Sequence, residues 1–351
     1  MAHLLAFSDP NFYIRFLPKD WSLRAREFGA LTRQRKFTRA EDLLSLLFIH
    51  LGEGLSMRET VVKSKKIGLV SVSDVALLKR LKLSSNWLRW MALKVIENLG
   101  CCLPPPRSFS KLVLKSGSSF VINEPGSTGS RWCLHHCLNL VDLGSDQFIL
   151  SNPGVNVHAP LRITLHDLLI GDSDHISISD FLLYEQKGGN CIVHLSTPII
   201  DFIGSNNAAK LLQKTKELSY GEYLDETLTD RETSFRIIIL RTQNGQTFPN
   251  KPGRDGYNAP VLGSKFFVVA TTLPQSFAAR DILEVYRVRW VIGSGLRQLP
   301  FFLELGHVPK GDEESFHAWF HGKLLVAVLA EAIRRQGEFH SPWGYPIPQE
   351  S

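Results

Sequence analysis

Residues 286–300 read Tyr286-Arg-Val-Arg289-Trp-Val-Ile-Gly293-Ser-Gly-Leu-Arg-Gln-Leu-Pro300, and how this stretch folds decides how the rest of the chain is organised. Tyr286, Arg289 and positions 293 and 300 stand at offsets of 0, 3, 7 and 14. At about 100° per residue, those offsets fall within roughly 60° of one helix face. A stripe carrying a phenol and a guanidinium is suited to meeting a phosphodiester backbone. A helix is expected from Ala278 to Leu299. Gly293 and Gly295 each weaken it by about 1 kcal/mol relative to alanine, and Pro300 would break or kink it.

The chain has 351 residues, 44% hydrophobic and 21% charged, values ordinary for a globular protein and too apolar for disorder. Its net charge of +6 is uneven: residues 1–111 hold 19 Lys/Arg against 9 Asp/Glu, net +10, which leaves −4 for residues 112–351. A basic first third is the electrostatic footprint of a nucleic-acid binder, with a merely solvated basic surface as the other reading. The five cysteines (Cys101, Cys102, Cys133, Cys137, Cys191) are an odd number without a CxxC pair, a usage that fits a reducing cytoplasm. No run of 18 apolar residues occurs, so no membrane crossing is expected.

Within residues 1–100 the patterning predicts short helices. Thr38-Arg-Ala-Glu41 and Ser56-Met-Arg-Glu59 read as capping boxes, Ser73-Asp74 caps a third helix, and Ser85 opens a fourth from Trp87 toward Leu99. Arg58, Lys63, Lys65, Lys66, Lys79, Arg80 and Lys82 make this part a helix-turn-helix-like DNA-binding domain or a small bundle with a solvated basic face. Cys101-Cys-Leu-Pro-Pro-Pro106 stops the last helix and begins a linker, 101–111. Strands are then expected at Leu112–Leu114, Trp132–Leu140, Gln147–Leu150, Leu168–Ile170, Cys191–Leu195, Phe235–Leu240 and Lys265–Ala270. Helices are expected at Phe181–Lys187, Asn206–Lys216 and Glu314–Arg335, giving an α/β domain over 112–339 and a frayed tail over 340–351. Cys133, His135, His136 and Cys137 lie along one strand, whose alternating faces keep all four from a single ion. Trp290, Trp319 and Phe301-Phe302 read as core.

Residues 286–300 resemble the Y-x2-R-x3-E-x6-K signature of bacterial insertion-sequence transposases of the IS-four family, with Gly293 at the glutamate position and Pro300 at the lysine position. Upstream, Leu112-Val-Leu-Lys-Ser116-Gly-Ser-Ser119, Glu124-Pro-Gly-Ser-Thr-Gly129 and Trp132-Cys-Leu-His135 resemble the family's hydrophobic strand with D-G/A-S/T, E-P-G-x-T-G and W-R-L-H, which puts Ser116 where the first aspartate belongs. Leu168-Leu-Ile-Gly-Asp172 and Gly188-Gly-Asn-Cys-Ile-Val-His194 resemble the second carboxylate strand and its follower, so Asp172 is the retained second carboxylate. Ser173-Asp-His175 departs from the family's R-G-Y/F. Val268–Pro274, Leu305–Pro309 and the terminal helix extend the resemblance, which covers roughly 112–333.

The resemblance implies a ribonuclease-H-like domain with a β-rich insertion behind a small all-α N-terminal domain. It implies three DDE carboxylates holding Mg²⁺ or Mn²⁺, with Asp172 as the metal ligand here. It also implies that Tyr286 and Arg289 contact DNA, and that the protein acts on terminal inverted repeats and target DNA as a homodimer in the cytoplasm, associated with the nucleoid. Two dications need several anionic oxygens, and only Asp172 of the three positions is an acid. Glu304 is no substitute, being displaced about 16 Å along the axis from position 293. The expectation is cut-and-paste DNA transposition chemistry that is impaired. A non-catalytic inhibitor that occupies the element's ends, or a decayed copy, are the alternatives.

Overall fold

The computed structural model describes residues 13–31, 37–123, 131–151, 164–172, 176, 178–195, 210–211, 213–230, 233–242, 266–304, 306, 308–309 and 312–338. The Glu124–Gly129 loop, Ser173–His175, most of the helix expected from Asn206 and the tail over 340–351 lie outside the described residues.

Among the described residues the chain is mixed α/β. Helices α1 (Trp21–Glu27), α2 (Ala40–Glu53), α3 (Met57–Lys66) and α4 (Asp74–Asn98) precede strands β1 (Val113–Asn123), β2 (Arg131–Asn139), β3 (Ser145–Ser151) and β4 (Asp167–Asp172). Then come α5 (Ile178–Gln186), β5 (Asn190–His194), β6 (Tyr223–Asp230), β7 (Thr233–Arg241) and β8 (Phe266–Thr271), followed by α6 (Ala279–Gly295), α7 (Leu299–Leu303) and α8 (Glu313–Glu338). The eight strands form one sheet in the order β3-β2-β1-β4-β5-β8-β7-β6. β1, β2 and β3 run antiparallel, β4 lies parallel to β1 and β5 parallel to β4, while β8, β7 and β6 add antiparallel strands beyond β5. Leu168–Ile170, Cys191–Val193 and Phe267–Ala270 are buried continuous apolar runs, as strands covered on both faces require. β6 was not expected, because Tyr-Leu-Asp-Glu-Thr-Leu-Thr-Asp is too polar to read as a core strand. It is an edge strand, where charge is favoured.

The helical part differs from expectation in two caps. Ser56 accepts from the Glu59 N–H at 3.3 Å while the Ser56 N–H donates to Glu59 Oε2 at 2.8 Å, so that capping box forms. The Thr38 box does not: the N-cap of α2 is Arg39, with no side-chain bond. Ser73 caps α4 as expected, but Ser85 opens no fourth helix, since Asp74–Asn98 is one continuous helix of 25 residues. Burial of Leu81, Trp87, Leu88, Met91 and Ala92 outweighs the capping tendency of Ser84 and Ser85. Ser84 instead donates to the Arg80 carbonyl, and Ser85 bonds His321 at 2.9 Å.

Helix α8 packs along α4 and also touches α2. It is long and apolar enough to cross a membrane, yet its apolar stretch is 89% buried inside the protein, so it is a core helix. One hydrophobic cluster runs from Leu43, Leu47 and Trp87 through Trp319 and Leu324 to Ile170 and Val269 of the sheet. Cys101 and Phe109, in the segment read as a linker, belong to the same cluster. His321 joins three elements: its Nε2 accepts from the Ser145 N–H at 3.3 Å, which leaves Nδ1–H to donate to Ser85. Burial, with Arg89 and His317 nearby, pulls its pKa down to about 3, so it stays neutral.

The long helix expected to reach Leu299 ends at Gly295, and a second short helix begins at Leu299. Pro300 sits in the first turn of that helix, where its missing N–H is harmless. Positions 286, 289 and 293 therefore share α6, and position 300 does not. Of the aromatics read as core, Trp319 and Phe302 are buried, but Trp290 is 49% and Phe301 45% exposed.

The two glycines of α6 have opposite surroundings. A Cβ on Gly295 would lie 2.7 Å from Ile96 Cγ1 of α4 and 3.2 Å from Cys101 Cβ, whereas a Cβ on Gly293 meets nothing within 4 Å. Urea denaturation is expected to show Gly295→Ala destabilised by about 1–3 kcal/mol through overpacking. Gly293→Ala is expected to be stabilised by about 0.5–1 kcal/mol through helix propensity. Equal effects at both positions would contradict this packing.

Candidate functional site

β1, β4 and β5 lie side by side in parallel register, with Ser116 opposite Ile170 and Asp172 opposite His194. This brings Ser116, Asp172 and His194 to one region of the sheet, over which α6 crosses. Tyr286 and Arg289, three residues apart on α6, face that region together. The Tyr286 hydroxyl donates to Asp172 Oδ1 at 2.5 Å. Arg289 donates from Nη2 to Oδ2 at 2.9 Å and from Nη1 to Oδ1 at 3.2 Å, a two-pronged grip on the carboxylate. Its Nε donates to Ser116 Oγ at 3.2 Å, and Nη1 also reaches the Tyr286 oxygen at 3.1 Å. His194 stacks on Phe267 at 4.7 Å, with its Nδ1 3.8 Å from Asp172 Oδ1.

The electrostatics follow from burial and pairing. The side chains of Asp172 and Arg289 are 26% and 14% exposed. Burial would raise the Asp172 pKa, but the Arg289 guanidinium and then the Tyr286 hydroxyl outweigh it and hold the carboxyl below its ordinary value. Burial pushes the Tyr286 phenol up, so it remains a neutral donor.

Ser116, Asp172 and Gly293, the positions where the resemblance expects carboxylates, lie around this region, and only Asp172 is an acid. Ser116 is 7% exposed and bonded to Arg289. Gly293 lies one turn beyond Arg289, exposed, on a cleft of about 360 Å³ that Ser116, Ser118, Arg289, Trp290 and Arg297 also line. The donor set does not fit a pair of divalent metals: its one carboxylate has both oxygens engaged by a guanidinium and a phenol, the second position is a hydroxyl and the third has no side chain. Among the described residues no three His, Cys, Asp or Glu come together as metal ligands, Cys133–Cys137 included.

Of the N-terminal basic residues singled out for DNA, Arg58, Lys63, Lys65 and Lys66 lie on α3 and Lys79, Arg80 and Lys82 on α4, where Lys82 pairs with Asp312 and Glu314 and Arg80 donates to the Ala30 carbonyl. Arg58, Lys65 and Lys66 are exposed on α3; Arg58 lies 3.6 Å from Asp74, and Lys63 pairs with Glu53 of α2. Sequence reasoning assigned no role to His194, Ser118 or Arg297. His194 ends the quoted Gly188–His194 motif, and the parallel pairing of that strand with β4 was the available signal. Ser118 follows Ser116 by two residues, so strand alternation puts both on one face.

No family model matches the chain. It is 23% identical over 347 residues to a protein of Escherichia coli strain K12 provisionally named transposase InsL for insertion sequence element IS186A, covering 90% of each chain. It is also 23% identical over 348 residues to the transposase for insertion sequence element IS421 of Escherichia coli, covering 90% of this chain and 91% of that one. Along nine-tenths of its length the chain is thus similar to bacterial insertion-sequence transposases.

Replacing Arg289 by Leu leaves Asp172 with burial and without its counter-charge. Breaking such a pair is expected to cost about 3 kcal/mol at neutral pH. A carboxyl with a depressed folded pKa stabilises above its unfolded value, and that stabilisation is lost as pH falls through the folded value. The gap between the intact protein and Arg289→Leu in urea denaturation should therefore narrow on acidification below the ordinary carboxylate range. A gap that does not change with pH would count against the ion pair.

Proposed function

We propose that the protein is a transposase-type, ribonuclease-H-like protein that binds the terminal inverted repeats of an insertion sequence as a homodimer and does not cut them. The observation that carries this reading is the region where Ser116, Asp172 and Gly293 meet: the positions converge, but a single carboxylate remains, and Arg289 already neutralises it. The similarity to insertion-sequence transposases over 90% of the chain supports DNA as the substrate class. The strand order, with β1 between β2 and β4 and β5 parallel beyond, supports the ribonuclease-H-like assignment, and β6–β8 then form the β-rich insertion. The exposed Arg58, Lys65 and Lys66 supply phosphate contacts on α3.

Mg²⁺ or Mn²⁺, which the resemblance implies, would find too few anionic oxygens among Ser116, Asp172 and Gly293, so no reaction step is assigned to it. A folded, end-occupying protein is favoured over a decayed copy by the one hydrophobic cluster that links the helices to the sheet. Such a protein would interfere with an active transposase.

A gel-shift and cleavage assay on duplexes carrying the sequences that flank this gene tests the reading. The expected result is a shifted complex, weakening steeply with salt as counterions are released, and no 3′-hydroxyl ends in Mg²⁺ or Mn²⁺. Metal-dependent ends that Asp172→Ala abolishes would overturn the inert-site part, and failure to bind any duplex would overturn the whole.

A further inference from the structure

Among the described residues, the lining of the cleft beside Gly293 includes the donors Ser116, Ser118, Arg289 and Arg297 and no Asp or Glu. Arg289 has five N–H groups, of which four go to Asp172, Tyr286 and Ser116, and one on Nη2 remains. Ser116 accepts from Arg289 Nε, so its own O–H is left to donate. Ser118 lies two residues along the same strand face. Arg297 is exposed at the rim and has no ion-pair partner among the described residues. The rest of the wall is largely apolar, made by half-exposed Trp290 with Leu138, Leu140, Ile292, Leu296 and Leu299.

Resting on the reading of the chain as a DNA-end binder, we propose that this cleft holds a DNA phosphodiester directly, without a divalent metal, with Arg297, Ser116 and the spare N–H of Arg289 as its ligands. In a site with three carboxylates, cations would have to stand between the acids and the phosphate, because anion and anion repel. Here the acids at two of the three positions are gone and the third is neutralised within the protein, so the cleft presents positive charge and hydroxyl donors to the phosphate itself. The ligand is a backbone phosphate near a strand end, and the contact carries no base information.

Fluorescence anisotropy of the full-length protein with a fluorescein-labelled duplex of the gene's flanking sequence tests this. Affinity is expected to be equal in EDTA and in Mg²⁺ at matched ionic strength. Arg297→Ala should weaken binding by about three- to tenfold and lower the slope of log affinity against log salt by about one. Gly293→Glu, whose side chain enters open space, should weaken binding by about tenfold in EDTA, with Mg²⁺ recovering part of the loss. A strict Mg²⁺ requirement in the unmodified protein, or an unchanged salt slope for Arg297→Ala with unchanged circular dichroism, overturns the metal-free cleft while leaving end binding intact. Absence of all duplex binding overturns the functional reading together with it.

Discussion

The contact between Asp172 and Arg289 joins the end of a central strand to the middle of the helix that crosses the sheet, and most features of the site depend on it. A buried ion pair is a weak stabiliser unless its remaining donors and acceptors are satisfied, because desolvating both charges costs several kcal/mol. Here the Tyr286 hydroxyl takes up one carboxylate oxygen and Ser116 takes up Nε of the guanidinium, so the pair is embedded in a small hydrogen-bonded network. That network explains why Tyr286 is 4% exposed and turned inward.

The helices keep α6 in place from the other side. Gly295 lets its backbone approach Ile96 and Cys101 closely, so α6 rests on α4 as well as on the sheet. Helix α4 in turn packs along α8, whose buried Lys323 donates from Nζ to the Leu51 carbonyl at 2.6 Å, within the last turn of α2. Burial pulls the pKa of that lysine down to about 7. A polar group placed there finds an orphan helix carbonyl as its partner, and so meets the requirement that buried donors be paired. Arg335 does the same for the Leu99 carbonyl at the end of α4. The helices and the sheet consequently share one core, and the site is assembled from both.

Much of this was legible in the residues. Leu168–Ile170, Cys191–Leu195 and Phe235–Leu240 announced their strands through near-continuous apolar runs, interrupted by His194 and Arg236, as doubly covered strands require. β6 escaped because an edge strand can be as polar as a loop. α4 was split in two because Ser84-Ser85-Asn86 looks like a cap when only local chemistry is weighed, while the apolar residues on both sides bury against α8 as one face. The common face of Tyr286, Arg289 and Gly293 followed from their spacing, but spacing alone does not say what a face meets. Which acid Arg289 would find became visible only once β4 and α6 were set side by side. His194 was hidden for the same reason, since its neighbourhood comes from strand pairing and not from sequence distance.

Serine at 116, glycine at 293 and the Asp172–Arg289 ion pair form one consistent physical state. Three carboxylates held close together without metal repel one another, and a fold carrying them relies on bound cations or on protonation to offset the cost. With serine at 116 and glycine at 293, the repulsion is gone and a single carboxylate remains. One arginine is enough to neutralise that charge, and Arg289 lies one helical turn from Tyr286, within reach of both Asp172 oxygens. The site is thereby self-sufficient: its charges are paired by the protein's own side chains, and its stability does not require a metal. Without an acid at 116 or 293, the cleft is lined by Arg297 at its exposed rim and by Ser116 and Arg289 deeper in, the arrangement on which the proposed direct contact with phosphate rests.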